Sequence, residues 1–293
     1  MAYTERHLSH EKRKEVWPNK KRIAVQFYVA AEEYIWKDTT EVPDILSRGE
    51  KPPTLSVQTA IKHGFEFGIP RLLKVLDSNG VKASFFLNGL AAERHPETTR
   101  EIQRHGHEIV GHSYSQETHL GKLDRESQRK TIRATLDAIE KVTSKRPTGW
   151  DCPFASCTPD TIELLIEEGL KYDADFQDDE LPYFIDYDGK SLVELPHQRV
   201  YAVNDFGLFA RDVKAPPEKL AEAMKATFDI YYREATTTPI MWRFGVHPFL
   251  GGKPEGAYVV DSVLRYVKNH DEVWIPTLDE MADWWISKFG GDR

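Results

Sequence analysis

Arg22-Ile23-Ala24-Val25-Gln26-Phe27-Tyr28-Val29 is short, almost wholly apolar and rich in β-formers, and it runs into the polar tail Ala30-Ala31-Glu32-Glu33. A run of that length without apolar/polar alternation reads as a strand buried on both faces, as in a parallel sheet covered by helices. The same grammar repeats downstream. Residues 65–79 carry apolar positions at helical spacing and stop at Gly80, a glycine just past a helix end. Residues 81–87 read as a strand, followed by a helix over 96–105 closed by Gly106 and a strand over 107–111. A helix over 124–143, a strand near 148–151, a helix over 159–168 closed by Gly169 and a strand at 171–173 continue the pattern. Residues 192–195, a helix over 217–234, a strand over 240–246, a helix over 255–269, a strand at 273–275 and a helix from Leu278 complete it. Strands alternating with helices imply an α/β protein with a parallel sheet, and seven or eight such units fit a distorted (β/α)7-8, TIM-like barrel.

The bulk properties bound the rest. With 293 residues and 40% hydrophobic content the chain can bury one large core, so a single domain is expected, with residues 1–21 as a polar N-terminal arm and 22–289 as the barrel. A formal charge of −8 leaves no broad positive field for phosphate backbones or anionic lipid, so neither nucleic acid nor membrane is an expected partner. The first 22 residues are highly charged and lack an apolar signal-like core, which points to a cytoplasmic address. Cys152 and Cys157 fit neither a CxxC redox pair nor a paired-cysteine zinc site and read as reduced bystanders. The loop over 37–58, with Pro43, Pro52 and Pro53, is long for a strand-to-helix connection and suggests a lid or an oligomer arm.

In a parallel α/β barrel, reactive side chains gather where strands end, because the loops that follow converge over one mouth. The polar residues at expected strand ends are Glu32 and Glu33, then His112 with Tyr114 and Gln116, then Asp178 and Asp179, then Asn204 and Asp205, and finally His247. Each alone has an ordinary reading as a solvated loop acid, a helix cap or a turn histidine. Together on one rim they supply metal ligands, a general base and a general acid, the set that hydrolysis of an unactivated amide needs.

These residues carry a resemblance. Val25-Gln26-Phe27 leading into Ala31-Glu32-Glu33, Gly106-His107-Glu108-Ile109 into Gly111-His112-Ser113-Tyr114, Arg146-Pro147-Thr148-Gly149-Trp150, Asp178-Asp179-Glu180-Leu181-Pro182-Tyr183, Val203-Asn204-Asp205-Phe206, and Gly245-Val246-His247-Pro248 with Gly252-Lys253-Pro254 stand in that order. From about Arg22 to Trp285 the chain resembles the polysaccharide deacetylases of the carbohydrate esterase type, in the branch that also holds allantoinase-like and cytoplasmic peptidoglycan-deacetylase-like proteins. The resemblance implies a distorted barrel in which Glu32 replaces the metal-binding aspartate, His112 is the first metal histidine and His247 the late acid. It also implies a homotetramer.

Three departures stand out. Ala30 occupies the place of the usual catalytic aspartate, Gln116 that of the second metal histidine, with His119 out of register, and Asp151-Cys152-Pro153-Phe154 lacks the arginine many relatives carry. The implied cofactor is therefore either one divalent ion, zinc first, held by Glu32, His112 and Gln116, or none. The leading expectation is a hydrolase that cleaves a C–N bond in a small cyclic amide, ureide or imide. Glu32 or Glu33 would activate water, with His112, His247 and Asp179 in the catalytic set, and Tyr114, Asp178, Tyr183, Asn204 and Asp205 would line the substrate. The alternatives are a metal-dependent N-deacetylase of an amino sugar and a barrel without activity that serves in binding. All of this requires Glu32, His112 and His247 to meet at one mouth.

Overall fold

The computed structural model describes residues 3–36, 54–197 and 215–291. The opening stretch forms β2, Ile23–Ala31, and all nine of its residues are buried. It lies between β9, Ile240–Val246, on one side and β3, Ser84–Leu87, with β10, Val273–Trp274, on the other. From β3 the parallel ladder continues through β4, Glu108–Gly111, β5, Gly149–Trp150, β6, Tyr172–Asp173, and β8, Lys190–Glu194. The expected strand and helix alternation is therefore the architecture, a distorted barrel of mostly parallel strands with helices outside.

The helices are α1 Leu55–His63, α2 Ile69–Asn79, α3 Gly89–Arg94, α4 Pro96–Arg104, α5 Arg125–Thr143, α6 Pro159–Glu167, α7 Pro217–Glu234, α8 Pro254–Lys268 and α9 Leu278–Phe289. Gly80, Gly106 and Gly169 adopt φ of 61°, 75° and 78°, the left-handed conformation that only glycine reaches without strain, which is why the chain turns from helix to strand at each. Asp124, Thr158 and Thr277 accept from the backbone N–H three residues on and start α5, α6 and α9. Among the described residues no helix is long and apolar enough to cross a membrane.

The structure corrects the periodic reading in two places. The helix expected over 65–79 begins at Leu55 and passes through one π turn, Gly64–Gly68, before α2. That turn makes room for the segment after His247: a Cβ on Gly68 would lie 2.3 Å from the Pro248 carbonyl oxygen, and one on Gly64 would lie 2.9 Å from the Phe249 nitrogen. A side chain there would displace that segment. The second correction is an antiparallel addition to the sheet. β1, Thr4–Arg6, in the polar arm pairs with β7, Tyr183–Tyr187, which forms a hairpin with β8.

Among the described residues the ladder does not close between β8 and β9. The fully buried Arg243 of β9 spans part of that gap, donating from Nη1 to the carbonyls of Ala174 (3.2 Å) and Leu195 (2.7 Å). Met241 N donates to Glu180 O lower on the same strand.

Candidate active site

Every parallel strand from β2 to β6, and β9, releases a polar residue at or just past its C-terminal end: Glu32, Asn88, His112, Asp151, Asp173 and His247. Glu32, His112 and His247 are 6%, 3% and 3% exposed. They meet on one atom: Glu32 Oε1 lies 3.2 Å from His247 Nε2 and 3.9 Å from His112 Nε2. The second carboxylate oxygen, Oε2, accepts from the hydroxyl of buried Tyr34 at 3.3 Å. Burial and the negative charge of Glu32 push the Tyr34 hydroxyl well above its ordinary range, so it stays a donor to that carboxylate.

His112 is oriented from behind. Its Nδ1 lies 2.8 Å from the Asp151 carbonyl oxygen and 3.1 Å from the Asp151 carboxylate. A carbonyl only accepts, so Nδ1 carries the hydrogen and Nε2 faces Glu32. That Nε2 is buried without a hydrogen-bond partner. Burial works to depress the His112 pKa, but Asp151 and Glu32 more than reverse it and the net shift is upward.

A single amide ties the two strand ends together. Fully buried Asn88 accepts from Glu33 N at 2.8 Å and donates to the His112 carbonyl. Ser113, directly after His112, sits at φ 56°, a left-handed conformation unusual for a residue with a side chain. Gln116 N then donates to Glu33 O, and the Glu117 carboxylate accepts from Ile35 N and Trp36 N, so the His112 loop is laced to the Glu32 loop.

Most of the remaining expected residues are held by other partners. Glu33, equally buried, faces the other side of the chain, as a neighbour on extended chain does, and its carboxylate binds Arg94 Nη1 (3.0 Å), His95 Nε2 (2.8 Å) and Tyr34 N (3.0 Å). It holds the loop in place instead of facing the imidazoles. Asp179 is gripped by Arg13 through two bonds of 2.8 and 2.6 Å and by His7 Nδ1 at 2.8 Å, which engages its carboxylate with the N-terminal arm. Asp178 accepts from the Tyr183 hydroxyl at 2.9 Å, and the Tyr183 ring stacks on His7. Tyr114 is bound to Glu93 at 2.9 Å. Gln116 is buried beside the loop with its Oε1 lacking a hydrogen-bond partner. Asn204, Asp205 and most of the 37–58 loop lie outside the described residues.

Sequence reasoning missed Asp151 and Asn88, although the strand-end rule that found His112 applies to both. It also missed the acids behind Asp151. Asp173 and Glu194 are cross-strand neighbours, both fully buried, and Asp175 accepts from Cys152 N at 2.9 Å. Burial, reinforced by Asp175, pushes Glu194 up to about 8 and Asp173 well above its ordinary range, so this pair holds a proton at neutral pH.

A sequence profile of the family described as Polysaccharide deacetylase matches residues 60–172. The chain is 26% identical to the peptidoglycan deacetylase of Helicobacter pylori over 74% of this chain and 83% of that one. The crystal structure of PuuE allantoinase superposes with a TM-score of 0.83 at 26% identity, covering 94% of both chains. That of a probable polysaccharide deacetylase from Pseudomonas aeruginosa PAO1 superposes at 0.81 with 27% identity, again covering 94% of both.

Proposed function

Because this chain belongs to the polysaccharide deacetylase family, we propose that it hydrolyses a C–N bond in a small cyclic amide, ureide or imide at the Glu32, His112 and His247 cluster. It is a hydrolase of the deacetylase and allantoinase-like kind. The observation that carries the finer reading is Glu32 Oε1 between two buried imidazoles, at 3.2 and 3.9 Å.

In this reading Glu32, not Glu33, takes the proton from the attacking water, since Glu33 is held by Arg94 and His95. His247, hydrogen-bonded to the same Glu32 oxygen, passes a proton to the leaving nitrogen. His112 is kept in register by Asp151 and turns Nε2 toward the reacting group. Tyr34 holds the base by its other oxygen. Deep burial of the whole set strengthens these interactions.

The residues also fit a divalent cation. His112 Nε2 and Gln116 Oε1 are both buried without a hydrogen-bond partner, and Glu32 faces the first of them. Glu32, His112 and Gln116 would hold the ion, though an amide oxygen is a weaker zinc ligand than imidazole. When bound it would supply Lewis-acid activation of water or of the carbonyl. These two unpartnered atoms also favour a second reading, metal-dependent N-deacetylation of an amino sugar, in line with the likeness to a peptidoglycan deacetylase. Ala30, where the resemblance implies a catalytic aspartate, and the allantoinase likeness favour the first.

The test is metal analysis of the purified protein, followed by ring-opening assays on hydantoins, ureides and imides beside acetate release from chitooligosaccharides. Ring opening is the expected result. Acetate release alone would transfer the assignment to the second reading, and no turnover on either series would leave a binding protein.

A further inference from the structure

The arm and the loop before β7 bring together another set of donors. We propose that Glu5, His7 and Asp178 form a divalent transition-metal site, with zinc as the best-suited ion, that staples the N-terminal arm to the barrel rim. Among the described residues this is the group of three His, Asp or Glu side chains whose ligand atoms all lie within 4.8 Å of one another. Ligands about 2 Å from a common ion lie at most about 4 Å apart, so the exposed side chains would close in slightly around an ion. Pairing of β1 with β7 brings Arg6 opposite Phe184, so His7 comes to rest over Tyr183 with ring centroids 3.9 Å apart.

The outer contacts prepare His7 as a ligand. Its Nδ1 lies 2.8 Å from Asp179 Oδ2, and Arg13 grips that carboxylate through both terminal nitrogens. The carboxylate that Arg13 binds through both oxygens accepts, so Nδ1 is the donor and Nε2 is turned toward Glu5 Oε2 at 3.5 Å. A carboxylate that orients a histidine by its far nitrogen is the usual second layer of a metal site. The Tyr183 hydroxyl, 2.9 and 3.1 Å from the two Asp178 oxygens, fixes the third donor.

Charge points the same way. Glu5, Asp178 and Asp179 bring three negative charges to the one positive charge of Arg13, a deficit that a doubly charged ion fills. One nitrogen and two carboxylate oxygens suit zinc and its neighbours better than calcium, which takes oxygen alone. The Glu5 and His7 side chains are 35% and 32% exposed, so the ion would keep an open position toward solvent and bind as a structural tie. None of the three donors belongs to the Glu32, His112 and His247 cluster.

Chelator-stripped full-length protein titrated with zinc chloride by calorimetry, with thermal melting in parallel, tests the site. The His112→Ala variant, which removes the mouth imidazole, should retain one zinc equivalent and a melting temperature that climbs with zinc concentration. His7→Ala should lose that equivalent. Glu5→Gln, which leaves the His7–Tyr183 stack intact, should weaken zinc binding by about 10-fold or more. Equal zinc stoichiometry and equal melting shifts in wild type and His7→Ala would overturn the proposal, as would absence of zinc binding by His112→Ala. Either outcome reduces the cluster to a histidine hydrogen-bonded between carboxylates.

Discussion

The mouth and the rim of this barrel are built from the same parts and put them to different ends. At the mouth Asp151 orients His112, and at the rim Asp179 orients His7, in each case through Nδ1. In the first the imidazole faces a glutamate and a second histidine in a fully buried setting, whereas in the second it faces two acids with about a third of its side chain in water. Burial makes the mouth cluster suited to proton transfer, because charges there are poorly screened. Exposure makes the rim cluster a tie between chain segments. The acids behind each diverge accordingly. Burial and neighbouring acids raise the pKa values of Glu194 and Asp173, although Arg243 pulls that of Glu194 down, whereas the Asp179 pKa is lowered because Arg13 is bonded to it.

The sharpest way to break this contrast is to remove the mouth groups. Glu32→Gln and His247→Ala should each cut ring-opening turnover by about 100-fold or more while leaving the melting temperature near that of the wild type. A near-normal rate in either would take that residue out of the mechanism. Asp151→Asn keeps the side chain but weakens its hold on His112, and a loss of about 10-fold to 100-fold is expected. An equal effect from Asp179→Asn would erase the distinction between the two regions. Glu33→Gln should act on stability more than on turnover, costing about 1 kcal/mol in urea unfolding through its bonds to Arg94 and His95.

The smallest effect lies in pH dependence, and its sign differs between the regions. Glu194 has a folded pKa of about 8 against an ordinary 4.5, so between those values the folded state binds more protons than the unfolded one. Its contribution to stability is therefore present at low pH and is lost as pH rises toward 8. Asp179 is the opposite case: its contribution is complete above the ordinary 3.8 and is lost as pH falls through its lower folded value. Melting temperature measured from about pH 5 to pH 8 should thus fall, Glu194→Gln should flatten that slope, and Asp179→Asn should leave it in place. A slope unchanged in Glu194→Gln would assign the effect to other groups.

Much of the fold was legible because its signals are local. Uniform burial of 23–29, helical periodicity over 217–234, and Gly80, Gly106 and Gly169 past helix ends each depend on neighbours within a few residues. The strand-end rule likewise nominated Glu32, His112 and His247 without a contact map. What lay beyond reach was set by groups far apart in the chain. The π turn at Gly64–Gly68 answers to Pro248, Asp179 answers to Arg13 from 166 residues away, and β1 exists because β7 offers it an edge. The choice between Glu32 and Glu33 belongs to the same class, since adjacent acids in an extended segment differ only in which side of the chain they face. Sequence alone determined that acids and imidazoles would end the strands. Only the tertiary structure decided which of them meet, because side-chain direction and partner are fixed by packing between segments that no local pattern connects.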